Sequence, residues 1–186
     1  MKFKKPKYDK LNLGCGRKVK RGFLNVDGAK LPGVDVVHNL NRYPWPFPDN
    51  SFSLIEAEHV IEHLDDFIRA MKELHRITKK GGTIYIEVPY FNSVGMFRDP
   101  THKTFFAYST FNYFTEKLSR WEGDVHYFPK LFKIRSKRLN YKILKHDNII
   151  NKTVNFFINQ SPENFERFFT WLIPIEELIV ELEPIK

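Results

Sequence analysis

The chain has 186 residues, 42% hydrophobic and 28% charged, a balance typical of one globular domain that buries a core without metal or disulfide staples. Its one cysteine, Cys15, excludes an intramolecular disulfide framework, no apolar run is long enough to span a membrane, and Met1 to Lys7 lack the apolar stretch of a secretory signal, so a cytoplasmic location is expected. A formal net charge of +8 would attract nucleic acids, nucleotides or acidic lipids, although a solvated basic surface gives the same value.

After a basic tail over residues 1–9, Leu11 to Leu13 read as a first strand that breaks into Gly14-Cys15-Gly16. A strand ending in Gly-x-Gly lets backbone approach a ligand closely. Phe23 to Asp27 and Val34 to His38 read as the second and third strands, each closed by Gly, Asn or Pro signals. The proline-rich Pro44 to Asn50 is a shaped loop. Ser53 to Ala57 make a fourth strand, and the apolar spacing of Ile61, Leu64, Phe67, Met71, Leu74 and Ile77 marks one buried face of a helix. That helix starts near Glu58 and ends at Gly81-Gly82. Thr83 to Val88 form a fifth strand. Beyond it lie an aromatic loop, Tyr90 to Phe106, and a helix capped by Ser109 that faces Phe111, Phe114 and Leu118 inward. Val125 to Leu144 read as a sixth strand with an irregular extension, Ser161-Pro162-Glu163 as the start of another helix, and Leu178 to Glu183 as the last strand. Alternating strands and crossovers imply a parallel α/β sheet whose ligands bind beyond the carboxyl ends of the strands.

Asp27 lies at such an end, where a carboxylate can accept two ribose hydroxyls; alone, it could also be a solvated strand end. A dinucleotide fingerprint would carry a third glycine where Val19 stands and its acid about 20 residues on, so the spacing argues against NAD. Leu11 to Gly16, Asp27, the crossover Asn50 to Ile55, the segment Glu58 to Leu64 and the run Lys79 to Pro89 together resemble the ordered motifs of class I S-adenosylmethionine-dependent methyltransferases, of the type 11 kind, over residues 10–106. That resemblance implies a Rossmann-like, mostly parallel seven-stranded sheet with helices on both faces and an antiparallel last strand, lacking the N-terminal roof helix. A segment at 90–128 would then serve the acceptor or act as a lid.

By resemblance S-adenosylmethionine is the cofactor. Gly14, Cys15 and Gly16 would line its methionine portion, Asp27 with Gly28 its ribose, Asn39 and Leu40 its adenine, and Glu58 and His59 the reacting end. Asn12 replaces the aspartate common in the family, Lys18 stands where a third glycine often occurs, and Ser53 replaces the usual crossover aspartate. His59, His63 and His102 are candidate proton acceptors, since a neutral imidazole is available near pH 7. Tyr90, Arg98, His102, Lys103 and Phe105 are candidates for an aromatic, partly cationic acceptor wall, the alternative being a rigid loop packed under the next helix. His59-x-x-Glu62-His63 resembles the Glu-x-x-Glu-His metal site of some small-molecule and small-RNA methyltransferases, with His59 replacing the first glutamate and His102 a possible fourth ligand. Metal-free relatives also carry a Glu-His pair here, and no metal is assigned. The expected reaction is methyl transfer to an oxygen or nitrogen of an unidentified acceptor, a small molecule or glycan in preference to RNA. The rival reading is a module that binds cofactor or partner without catalysis.

Overall fold

The computed structural model describes residues 6–115, 129–142 and 148–186. Seven strands form one sheet in the order β3-β2-β1-β4-β5-β7-β6. β1 (Lys10–Leu13) lies between β2 (Leu24–Asp27) and β4 (Phe52–Glu58), β3 (Val36–Val37) adds to β2, and β5 (Thr78–Pro89) adds to β4. All of these pairs are parallel. β7 (Glu177–Pro184) runs antiparallel to both β5 and β6 (Phe132–Asn140). This is the sheet expected from the sequence, and its reversal at the last strand places Glu177 opposite Pro89 at the carboxyl end of β5.

The crossovers at 14–23 and 28–35 contain no helix. Polar side chains shape the first one: the Asn12 amide donates to the Lys18 carbonyl at 2.8 Å and to Asn25 Oδ1 at 2.9 Å, and Asn25 Oδ1 also accepts the Lys20 amide at 2.8 Å. An aspartate at position 12 could not donate either bond.

One expected helix divides in two. Ile61–His63 form a single 3-10 turn, Leu64 is extended, and α1 runs only over Phe67–Ile77. Asp66 restarts the helix by accepting the Arg69 amide at 2.8 Å, a standard N-cap bond. Ala70, Met71, Leu74 and Ile77 are buried on its inner face. At the other end Thr78 turns extended, so Gly81-Gly82 do not cap the helix. They sit in an irregularity of β5, where Phe52 pairs with Thr78 but Leu54 already pairs with Thr83. Gly81 has φ +73°, and a Cβ at Gly82 would stand 3.0 Å from the Lys79 and Ser53 carbonyl oxygens, as expected of glycine in a bulge.

In the loop after β5, α2 (Val94–Arg98) begins at Ser93, which accepts the Gly95 amide at 3.0 Å. The helix expected after Ser109 is a 3-10 segment, Thr110–Phe114, without a side-chain cap from Ser109. Phe106, Phe111 and Phe114 close around Phe67 of α1. The sixth strand is shorter than expected. Leu118, residues 125–128 and with them the distal third of the 90–128 segment lie outside the described residues, as do 143–144. α3 (Ile149–Ile158) was not foreseen, whereas α4 (Pro162–Phe168) starts at the Ser-Pro-Glu signal. No helix among the described residues is long and apolar enough to cross a membrane.

Candidate active site

The glycine turn at the end of β1 is set by two contacts. Gly14 has φ +61°, and a Cβ there would lie 2.4 Å from Val60 Cγ2, so Gly14 lets the segment after β4 pack directly on the turn. Gly16 has φ +50°, and its amide donates to Asp27 Oδ2 at 2.7 Å. Asp27 Oδ1 accepts the Ala29 amide at 2.8 Å. Each carboxylate oxygen keeps a further acceptor position. Cys15 is buried, its amide donates to the Val26 carbonyl at 2.9 Å, and burial pushes its thiol pKa up, so it packs and stays protonated.

Gly14, Asp27, Gly28, Asn39, Leu40 and His59 line an open cleft of about 250 Å³, floored by Val60, His63 and Leu64. Glu58 is not part of that lining. It alternates with Glu56 on one face of β4 and pairs with Lys20 at 2.5 Å and Lys18 at 3.5 Å, beside the Lys20 to Glu56 pair.

A second cavity of about 520 Å³ adjoins the first at His59 and His63 and is walled by Ser93, Arg98, His102 and Glu176. Arg98 and His102 therefore stand where an acceptor wall was expected. Tyr90, Lys103 and Phe105 do not. Tyr90 is fully buried and its hydroxyl donates to Glu166 Oε2 at 2.5 Å; Lys103 pairs with Asp65; Phe105 is exposed against Phe97.

His59 links the two cavities from a left-handed backbone position, φ +53°, with its amide on the Glu87 carbonyl at 2.9 Å. It is therefore not on a helix, as its spacing to Glu62 had implied, although its Nδ1 still lies 3.4 Å from Glu62 Oε1. Its Nε2 is 3.4 Å from Glu87 Oε1 and 3.6 Å from Glu177 Oε1. Glu177, Glu62 and Glu87 together raise the imidazole pKa to about 11, and the imidazolium in turn holds Glu87 down at about 2. His59 is thus a fixed cation near neutral pH and has no lone pair to take a proton. Glu87 and Glu177 are site residues that sequence reasoning missed. An acid inside the otherwise apolar run Thr83 to Val88 was a usable signal for Glu87; Glu177 arrives from the distant β7 with no local signal.

His63 and His102 stack edge to face with ring centres 4.6 Å apart. His102 Nδ1 bonds the Met96 carbonyl at 2.9 Å. His63 Nδ1 bonds Thr101 Oγ1 at 2.8 Å, while the Thr101 hydroxyl donates to Asp99 Oδ1 at 2.7 Å. Both partners offer only lone pairs, so Nδ1 of each neutral ring carries the proton and Nε2 keeps its lone pair.

Residues 20–86 match the family described as "Methyltransferase domain", a stretch that takes in the ends of β2, β3 and β4 bordering the smaller cleft. Among curated proteins, a demethylmenaquinone methyltransferase of Geobacillus stearothermophilus is 36% identical over 70 residues, covering 37% of this chain and 30% of that protein. One from Listeria welshimeri is 27% identical over 117 residues, covering 56% and 49%. The matches thus span half or less of these relatives' length. A solved S-adenosylmethionine-dependent methyltransferase from Archaeoglobus fulgidus superposes with a TM-score of 0.62 at 20% identity, over 96% of this chain and 87% of that one. The methyltransferase domain matched over residues 20–86, a sheet that reverses only at its last strand and a glycine turn bonded to the acid of the next strand are features this chain shares with class I S-adenosylmethionine-dependent methyltransferases, and S-adenosylmethionine is the cofactor that this fold implies.

Proposed function

We propose that the protein transfers a methyl group from S-adenosylmethionine to an oxygen or nitrogen of a small molecule or glycan held in the 520 Å³ cavity. The observation that carries this reading is the meeting of two clefts at His59 and His63. Methyl transfer from a sulfonium needs nucleophile, methyl carbon and leaving sulfur in line, and most of its rate comes from alignment. Cofactor in the Asp27 cleft and acceptor against Arg98 and His102 would face each other across that junction. Bound there, S-adenosylmethionine would supply an activated methyl group to a lone pair of the acceptor, its sulfur leaving with the electrons of the carbon–sulfur bond. The acceptor's proton passes to Nε2 of His63 or His102, since His59 is already protonated. The three-carboxylate cluster around His59 offsets the charge that a sulfonium cofactor and the imidazolium would otherwise concentrate there.

The name of the demethylmenaquinone relatives suggests a quinone acceptor for those proteins. The family match ends at residue 86, before the 90–106 loop that walls the acceptor cavity, so it supports the cofactor half of the reading. Ser93, Arg98, Asp99 and His102 stand in that wall beside Pro89, Gly95 and Pro100, so it offers hydrogen-bonding groups to a polar acceptor together with apolar surface.

The test is calorimetry with S-adenosylmethionine and its demethylated product, run beside transfer of radiolabelled methyl to fractionated small molecules, glycans and RNA. We expect Asp27→Ala to abolish the heat of both ligands and His102→Ala to keep the heat but lose transfer. Heat without label in any fraction would favour a non-catalytic binding module, and an unchanged Asp27→Ala titration would remove the ribose assignment.

A further inference from the structure

We propose that α3 and the turn after α4 dock on the surface of an anionic lipid bilayer. Of the thirteen large hydrophobic side chains exposed among the described residues, eight fall within residues 149–172, and such a concentration marks an interaction site where scattered exposure would not. On α3 the exposed residues are Ile149, Ile150, Phe156 and Phe157. Their spacing of seven and eight positions puts them on one side of the helix.

The opposite side of α3 is fixed to the sheet. Asn155 Oδ1 accepts the Tyr141 amide at 2.7 Å, and its Nδ2 donates to the Tyr141 carbonyl at 2.9 Å. Asn159 makes the same pair of bonds to Leu139, both at 2.9 Å. Two side-chain amides thus take the place of a neighbouring strand at the end of β6. Ile158 is buried beside them, so apolar groups leave α3 both inward and outward, and the bonds prevent the outer set from turning in. A helix that is apolar on both sides is one that is covered on both sides.

After α4 the chain turns with Trp171 81% and Leu172 76% exposed, next to exposed Phe168 and Phe169. Asn92 holds this turn by donating to the Thr170 and Ile173 carbonyls and accepting the Ile175 amide at 3.0 Å. Phe91 meets Trp171 edge to face with ring centres 5.7 Å apart. β6 ends at Asn140 opposite Glu177, which opens β7, so α3 and this turn lie at the same end of the sheet. Ser93, next in the chain after Asn92, walls the larger cavity. A docked protein would present that cavity beside the bilayer.

The occupant follows from charge. Lys142, Lys152 and Arg167 are exposed on or beside α3 and α4, as are Lys133, Arg135 and Arg138 on the adjoining β6. Glu163 is the exposed acid of the two helices, since Glu166 is only partly exposed and accepts the Tyr90 hydroxyl and the Tyr108 amide. A second copy would set another formal +8 against the first, which opposes association, whereas an anionic leaflet attracts that charge. Exposed tryptophan and phenylalanine suit the boundary between headgroups and acyl chains. No described helix is long and apolar enough to cross a membrane, so the contact is with the surface.

The test is sedimentation of the full-length protein with vesicles of phosphatidylglycerol and phosphatidylcholine in equal parts, beside vesicles of phosphatidylcholine alone, with tryptophan emission as a second readout. We expect binding about 10-fold or more tighter on the anionic vesicles, weakening as salt rises. Trp45 is buried, and Trp171→Phe should remove most of the blue shift that lipid induces. Phe156→Ser combined with Phe157→Ser should weaken binding about 10-fold or more and melt as the parent does, because both side chains are exposed. Val37→Ser, exposed on β3 at the opposite edge of the sheet, should bind as the parent does. Absence of binding to the anionic vesicles, an undiminished shift in Trp171→Phe, or full binding by the double serine variant would overturn the docking. So would a dimer in sedimentation velocity that the double variant disrupts, which would make a second copy the occupant. Calorimetry with S-adenosylmethionine in the absence of lipid reads the cofactor cleft separately, so either result can fail with the other intact.

Discussion

The two glycines of the turn carry different constraints. Both hold positive φ, +61° at Gly14 and +50° at Gly16, a conformation that costs a side chain about 1–2 kcal/mol. Only Gly14 also faces an obstacle, with the added Cβ 2.4 Å from Val60 Cγ2, while nothing lies within 4 Å of the corresponding point at Gly16. Gly14→Ala should therefore cost about 3 kcal/mol or more, adding an overpacking penalty to the backbone term, and Gly16→Ala only about 1–2 kcal/mol. Urea unfolding of the two variants reads the difference, and equal costs would mean that Val60 yields freely. Gly14, Asp27 and Asn39 were legible as cleft-lining residues because each closes its strand or follows it within two positions. Tyr90 was not. It also follows a strand, but its direction is set by Glu166, 76 residues away, which accepts its hydroxyl bond, and by a bridge to Phe106.

For whole elements, apolar spacing predicted burial better than it predicted continuity. Ile61, Leu64, Met71, Leu74 and Ile77 are all buried, so the periodicity was real, yet the helix is interrupted. Asp65-Asp66 falls between turns of the pattern, and the Asp66 side chain satisfies an amide of a new first turn, a local bond that hydrophobic spacing does not register. Asp66→Ala should lower stability by about 1 kcal/mol without altering cofactor binding, checked by denaturant midpoint beside a calorimetric titration. A cost near zero would show that packing of Phe67 and Met71 starts α1 unaided. α3 escaped notice for the opposite reason. Ile149, Ile150, Phe156 and Phe157 are exposed while Asn151 is buried, which erases the apolar stripe that marks a helix in sequence.

At the scale of the molecule, the sheet order gathers what the chain separates: β4 ends beside His59, the neighbouring β5 carries Glu87, and β7 on the far side of β5 brings Glu177 to the same imidazole. The same packing buries phenols. Burial, with a contribution from Asp66, pushes Tyr43 to about 12, and burial beside Glu163 and Glu166 pushes Tyr108 to about 12. Burial next to Glu87 and Glu166 raises Tyr85 and Tyr90 further still. A folded pKa above the unfolded one means that the folded state holds its proton more tightly, so the stabilisation is complete below the unfolded value and disappears as pH climbs through the folded one. His59, raised from 6.5 to about 11, gives a decline that begins near neutral pH. The phenols, raised from 10, join only above that value. Stability should therefore fall gently from pH 7 and steepen between pH 10 and 12. Tyr43 and Tyr108 would each account for about 1 kcal/mol of the steep part once solvent screening of these half-buried groups is allowed for. Urea midpoints taken from pH 7 to 11.5 on the parent and on Tyr43→Phe and Tyr108→Phe test this. Each variant should lose part of the steep limb and keep the gentle one, and a parent curve with no change of slope at pH 10 would show that these phenols ionise in the folded protein as they do in water.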